Sequence, residues 1–468
     1  MSTSVVHRRF PRLVIAGTHS GVGKTSIVLG VLGALRNRGV QVQGFKVGPD
    51  FIDPMYHREV TGAPSYNLDA WLMGRDGVGR ALARIAPADG VSIVEGVMGM
   101  FDGRATGADG STAEVATILQ SPVLLVVDVG GMSRSAAALV QGYARFDPDV
   151  HVAGVVLNHV GGPRHYQLVK TAIEEQAGVA VWGYLPSSDG LVLPERHLGL
   201  VPVGEDAAFR RVCTELGAAA ERTVDITAIM AAAQSAPPLA VPPDDTPAVA
   251  ATAVRIGVAR DAAFNFYYDA NLRWLRQWGA ELVEFSPLQD LELPTDVDGL
   301  YFGGGFPEVF AKKLADNLAF MGSLRRVHQA GMPIYAECGG LMYLVQAIQD
   351  AAGERYPMVG LLPGVCRLTD RLQNFGYKDV VSLRDSLLGR SGLRTRGHEF
   401  HYSVWEGRPA DRSLYQTCSS HGDERTEGYS VGNLTASYVH LHFDACPQVP
   451  RSLVEGAAAF RRRRLTRG

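Results

Sequence analysis

The 468-residue sequence has no CxxC pair, no hydrophobic run long enough to cross a bilayer and no large excess of charge of either sign. Its five cysteines, Cys213, Cys338, Cys366, Cys418 and Cys446, are odd in number and widely scattered. That excludes a disulfide scaffold or a zinc ribbon and fits a reducing cytoplasm. The longest strand-like apolar stretches, such as residues 122–127, are soon interrupted, here by Asp128, well short of the roughly 18 residues of a membrane span. Lys+Arg 45 against Asp+Glu 48 gives a formal charge of −3, without the basic excess of a nucleic-acid binder. The opening MSTSVVHRRFPR has no apolar h-region, so secretion is not expected. No internal repeat of solenoid period is present. What is left, 46% apolar and 20% charged residues, is the composition of an ordinary globular enzyme, expected in the cytoplasm.

Proline is abundant in one place. Residues 236–249 read APPLAVPPDDTPAV, with Pro237, Pro238, Pro242, Pro243 and Pro247 close together. Such density continues neither a helix nor a central strand, so an extended linker over 236–252 is expected between domains 1–235 and 253–468. Both halves alternate short β-rich runs with helical patterns, which predicts α/β domains with mostly parallel sheets. Strands are expected at 12–16, 40–45, 91–94, 123–129 and 152–158, then at 254–258, 299–302 and 333–336; helices are expected at 24–38 and 271–278. The Arg461–Arg464 run reads as a frayed, solvated tail.

The strongest local signal is GTHSGVGKT, from Gly17 to Thr25, between an apolar strand and a helix. Glycines let backbone N–H groups approach phosphate oxygens, and the helix N-terminus adds a favourable partial charge. Gly21, Gly23, Lys24 and Thr25 are the candidate ATP-binding residues, Lys24 for the outer phosphates and Thr25 for Mg²⁺. The spacing is one residue longer than usual, because Thr18 stands at the first glycine position. Two acidic segments follow strands: KVGPDFIDP, with Asp50 and Asp53, and EGVMGMFDG, with Glu95 and Asp102. Strand ends of open α/β sheets are where ligands bind, and Mg²⁺–ATP takes one or two protein carboxylates, here Asp50 and Glu95. Asn158 either hydrogen-bonds the adenine ring or simply ends its strand. His19 and His159 read as surface or packing residues.

In the second half, YAECGGLM sets Cys338 between a short strand and a predicted helix, LMYLVQAI. Such an elbow exposes a nucleophile and aims backbone N–H groups at an oxyanion, while the helix N-terminus is expected to lower the thiol pKa. YFGGGFPE offers a second donor loop; Gly304 and Gly339 are the candidate oxyanion-hole residues. SYVHLHF reads as an alternating strand that points His440 and His442 to one face. His398 and His401, in GHEFHYS, either touch substrate or serve structure.

Cys338, the GGGFPE loop and His440 resemble the class I glutamine amidotransferases, and the first half resembles the dethiobiotin-synthetase-like P-loop group. In this order, and over nearly the whole chain, the two halves resemble the cobyrinic acid and hydrogenobyrinic acid a,c-diamide synthases. KVGPDFIDP, NLDAW, EGVMGMFDG, GHEFHYS and SYVHLHF carry the likeness. The resemblance implies a ligase for cobalamin biosynthesis that uses Mg²⁺–ATP, glutamine and a corrinoid, with no permanently bound organic cofactor and with a homodimer through the glutaminase half. It implies catalytic roles for Cys338 and His440, and for Asp53 and Asp102 in orienting substrate or handling the intermediate. A corrin carboxylate would become an acyl phosphate, which ammonia released at Cys338 would convert to an amide. Most class I glutaminases carry Glu two residues after the histidine; here that position is His442, which implies a Cys338–His440 dyad. Ala336 replaces the first glycine of the usual elbow.

Two other readings compete. A nickel-sirohydrochlorin a,c-diamide synthase of coenzyme F430 assembly would share nearly all these motifs. A P-loop switch ATPase of the partitioning type would carry a signature Lys early in the loop, which is missing between Arg12 and Lys24, and would leave Cys338 unexplained.

Overall fold

The computed structural model describes residues 6–104, 107–187, 191, 193, 207–243 and 254–467. The chain divides into two compact units, Met1–Asp245 and Thr246–Gly468.

The first unit is a seven-stranded sheet, parallel throughout, in the order Tyr66–Leu68, Gln41–Val47, Gly90–Glu95, Arg12–Gly17, Val123–Asp128, Val152–Val160, Val181–Pro186. RLVIAG and VLLVVD are apolar runs without alternation, as expected of strands covered on both faces, and all of RLVIAG is buried. The order brings the ends of Gln41–Val47, Gly90–Glu95 and Arg12–Gly17 side by side, so the phosphate loop and both acidic segments share one sheet edge. The helix Lys24–Asn37 follows the loop directly.

The second unit has a six-stranded sheet in the order Ala280–Phe285, Val254–Ala259, Gly299–Phe302, Ile334–Glu337, Leu434–Ser437, Tyr429–Val431, parallel except for its last pair. A five-stranded antiparallel sheet runs Glu424–Glu427, Tyr415–Ser419, Asn374–Ser382, Arg394–His401, His440–Leu441. The expected α/β class with mostly parallel sheets is what the two units form.

Four local expectations change. Within the proline-rich segment, Leu239–Val241 pairs antiparallel with Val6–Arg8, a two-stranded edge where the flanking prolines forfeit no ladder bond. The rest of the expected linker, 244–252, lies outside the described residues. The Arg461–Arg464 run is not a frayed tail: it belongs to the helix Gln448–Arg467, and Arg461 and Arg464 reach the buried Asp298 at 3.8 and 3.1 Å. The helix after Cys338 is only Gly339–Leu344, because Val345 is extended and Ala347–Gln349 is a strand. SYVHLHF is not one strand: Leu434–Ser437 ends in one sheet, His440–Leu441 joins another, and His442 opens a 3₁₀ turn.

Candidate functional site

Glycine is required in the phosphate loop itself, since Gly21 and Gly23 have φ of 83° and 92°, in the left-handed region. Lys24, buried in the fold, donates to His19 O at 3.1 Å and Met98 O at 2.6 Å. Burial, followed by the nearby charge of Lys46, lowers its pKa to about 8. Met98 has φ 46°, a costly conformation for a non-glycine residue, next to the lysine it accepts from.

Thr25 Oγ1 donates to Glu95 Oε1 at 2.8 Å, so a hydroxyl and a carboxylate suited to Mg²⁺ stand together. Among the described residues no group of three or more His, Cys, Asp and Glu is arranged around a metal. Asp50 Oδ1 caps the helix Ile52–Thr61 through the N–H groups of Ile52 and Asp53, at 2.7 and 3.0 Å.

Sequence reasoning passed over two residues here. Lys46 lies 2.8 Å from Asp53 and 3.3 Å from Glu95, all three buried. Burial alone would lower the pKa of Lys46, but Asp53 and Glu95 outweigh it and raise it, so the lysine stays charged. His57 Nε2 meets Glu95 Oε2 at 2.7 Å, and its Nδ1 meets Ser65 Oγ at 2.9 Å. Lys46 was visible in KVGPDFIDP; nothing local marked His57. Asp102 Oδ2 accepts from Gly99 N at 2.8 Å and shapes the loop beneath Lys24. Asn158 Nδ2 donates to Val22 O at 2.9 Å and packs on Gly23, where a Cβ would come within 2.1 Å of it. The amide therefore braces the phosphate loop.

In the second unit, Cys338 has φ 47°, the strained geometry of a nucleophile elbow. Its N–H donates to Ser437 O at 2.8 Å, and its Sγ faces Phe400 O at 4.0 Å. The expected fall in thiol pKa does not occur. Burial pushes the thiol up, Glu308 adds to this, and the Gly339 N–H only partly opposes it. One short helical turn does not outweigh desolvation of a largely buried sulfur. Gly339 packs on the donor loop, where a Cβ would lie 2.9 Å from Gly305 N. Gly304 lies against the His440 ring, where a Cβ would be 2.4 Å from Cε1 and 3.2 Å from Nε2.

The two late histidines have different surroundings. His440 Nδ1 lies 3.7 Å from Glu337 Oε2, whereas His442 packs on Tyr268, ring centres 4.7 Å apart, with Nδ1 3.9 Å from Asp444 Oδ2. His398 pairs with His440 across the antiparallel sheet. Burial lowers its pKa to about 3, and lowers that of His401 to about 4. His401 stacks on Tyr438 at 3.9 Å. Arg425 ion-pairs with the buried Glu399, and Glu427 accepts from Ser437 Oγ and Tyr438 N, at 2.6 and 2.7 Å. These carboxylates were not read as site neighbours, because only tertiary pairing brings them there.

Residues 13–201 match the CobQ/CobB/MinD/ParA nucleotide binding domain, and residues 255–447 match the CobB/CobQ-like glutamine amidotransferase domain. The chain is 44% identical over 454 residues to the cobyrinate a,c-diamide synthase of Priestia megaterium, covering 97% of this chain and 98% of that one. The chain belongs to the cobyrinate a,c-diamide synthase family. Further members, from Listeria monocytogenes and Dehalococcoides mccartyi, are 45% and 42% identical; they cover 92% and 96% of this chain and 96% and 99% of their own. The family that the motifs resemble is thus the family the chain joins. In this cobyrinate a,c-diamide synthase family member, the phosphate loop falls in the nucleotide-binding match and Cys338 in the amidotransferase match. No helix among the described residues is long and apolar enough to cross a membrane.

Proposed function

We propose that this chain amidates the a and c carboxylates of cobyrinic or hydrogenobyrinic acid, using ATP and glutamine, in cobalamin biosynthesis. One observation carries the reading: a single chain holds a phosphate loop and a nucleophile elbow, in the order and over the length of the cobyrinate a,c-diamide synthases.

At the first site, Gly21, Gly23 and Lys24 bind the ATP phosphates, and Asn158 keeps the loop in shape from below. Thr25 and Glu95, with Asp50 nearby, would hold the magnesium ion, which supplies charge neutralisation at the phosphates when bound. A corrin carboxylate oxygen attacks the γ-phosphorus and the bond to ADP breaks, giving an acyl phosphate. Ammonia then attacks the acyl carbon, phosphate leaves, and a proton is lost to give the amide. A carboxylate is a poor acyl donor, and phosphorylation supplies the leaving group. Lys46, held between Asp53 and Glu95, and Asp102 orient the reacting groups.

At the second site, His440 takes the Cys338 proton as sulfur attacks the glutamine amide carbon. Backbone N–H groups around Gly304 and Gly339 stabilise the oxyanion. His440 returns the proton to departing ammonia, and water releases glutamate from the thioester. The raised pKa of the resting thiol suits this order: proton transfer accompanies attack. Internal delivery keeps ammonia unprotonated, which matters because ammonium is no nucleophile. Supplies of ATP and glutamine fit a cytoplasmic enzyme, and a homodimer through the glutaminase unit is part of the proposal, checked by sedimentation.

The test is mass spectrometry of products after incubation with Mg-ATP, glutamine and, in turn, cobyrinic acid, hydrogenobyrinic acid and nickel-sirohydrochlorin. Two acid-to-amide conversions on a corrinoid are expected, with Cys338→Ala active only on added ammonia. Conversion of the nickel ring alone would reassign the substrate. ATP hydrolysis without amidation of any ring would overturn the reading in favour of a switch ATPase.

A further inference from the structure

A histidine that shuttles a proton from a thiol to a leaving amine needs an acceptor at its other ring nitrogen, to fix the tautomer and steady the imidazolium. The position two residues after His440 is His442, which supplies no carboxylate. Asp444, beside His442, accepts from Trp274 Nε1 at 2.8 Å.

Among the described residues, Glu337 is a carboxylate that faces His440. We propose that Glu337, the residue immediately before the nucleophile, is the positioning carboxylate of the glutaminase, acting on His440 Nδ1. The inference rests on the assignment of Cys338 and His440 as nucleophile and base. Glu337 Oε2 lies 3.7 Å from His440 Nδ1, and the two residues are 1% and 2% exposed. Catalytic hydrogen bonds are commonly long before substrate binds and tighten in the complex.

The carboxylate is itself held in place. Its Oε2 accepts from Tyr301 OH at 2.9 Å; its Oε1 accepts from Tyr335 OH at 2.5 Å and from Leu441 N at 3.1 Å. Three donors fix the orientation of the buried carboxylate. The bond to Leu441 N ties Glu337 to the residue next to His440, so the strands Ile334–Glu337 and His440–Leu441 set their separation. Burial, reinforced by Glu337, raises both tyrosine pKa values well above the ordinary phenol range, so both hydroxyls remain donors. Farther round the ring, Cε1 and Nε2 lie against Gly304. Nδ1 thus addresses the carboxylate while Nε2 is turned toward the oxyanion loop. Consecutive strand side chains normally point to opposite faces. The positive φ at Cys338 breaks that alternation directly after Glu337.

The experiment uses the full chain with Mg-ATP and the corrinoid that it amidates, and compares Glu337→Gln, Glu337→Asp and Asp444→Asn in glutamine-dependent turnover. Glu337→Gln is expected to lower kcat by on the order of 10²-fold or more, as for other triad carboxylates, with KM for glutamine within about twofold. Glu337→Asp should recover part of that loss, and Asp444→Asn should stay within about threefold of the parent. Ammonia-driven amidation, which bypasses the glutaminase, reports that each variant is folded. If Glu337→Gln does not fold, Tyr335→Phe loosens the same carboxylate and should lower kcat without raising KM. An unchanged kcat, a change confined to KM, or a loss in Asp444→Asn as large as in Glu337→Gln would overturn the proposal. A Cys338→Ala variant that keeps glutamine-dependent activity would instead overturn the assignment beneath it.

Discussion

At Gly304 the missing side chain leaves room for the His440 ring, since a Cβ would come 2.4 Å from Cε1, closer than any relaxed contact. Gly304→Ala should displace the imidazole and lower glutamine-dependent kcat by on the order of 10²-fold, the cost of roughly an ångström of misplacement. Parallel assays with ammonia should show amidation at the parental rate. His398 supports a second expectation. Burial depresses its pKa from 6.5 to about 3, so the unfolded chain binds a proton that the folded one refuses. Its contribution is intact above pH 6.5 and is lost as pH falls toward 3, by about 2 kcal/mol at pH 5. His401, depressed to about 4, acts in the same direction. Glu308 and Glu427, raised to about 7 by burial, act oppositely, and their contribution is lost as pH rises through 7. His398→Gln should therefore narrow the stability gap between pH 7.5 and pH 5, read from urea midpoints; an unaltered gap would mean that His398 is accessible to protons in the fold.

The helix Lys24–Asn37 packs on the helix Ala207–Thr223 where Gly33 meets Gly217, and a Cβ on Gly33 would lie 3.0 Å from Gly217 Cα. Two glycines that weaken helices locally are explained by this close approach. Gly217→Val should overpack the crossing and cost about 1–3 kcal/mol, seen as a lower midpoint on thermal unfolding. The phosphate-loop helix was legible beforehand because its apolar spacing and GKT start are local. The strand Arg394–His401 was not, because GHEFHYS has little apolar alternation and is held by partners on both sides. The arginine-rich tail misled for a related reason: charge suggests solvent, but Asp298, far away in sequence, receives two of the arginines.

For the whole molecule, each unit has its own apolar interior. Val14, Phe45, Leu125 and Leu157 belong to the first, while Phe302, Ile334, Leu341 and Leu434 belong to the second. Residues 246–468 expressed alone should therefore give a mixed α/β circular dichroism spectrum and one cooperative melt; a non-cooperative profile would refute independence of the units. The sequence by itself determined the two chemistries, because a phosphate loop and a nucleophile elbow are each built from one contiguous strand–turn–helix stretch. Tertiary structure alone decided how those chemistries are armed. Glu95 is 38 residues from His57 and Glu337 is 104 from Leu441, and no spacing rule links residues so far apart. The helix Ile52–Thr61 carries His57 to Glu95 at the end of its strand, and the junction of two sheets brings Glu337 against His440.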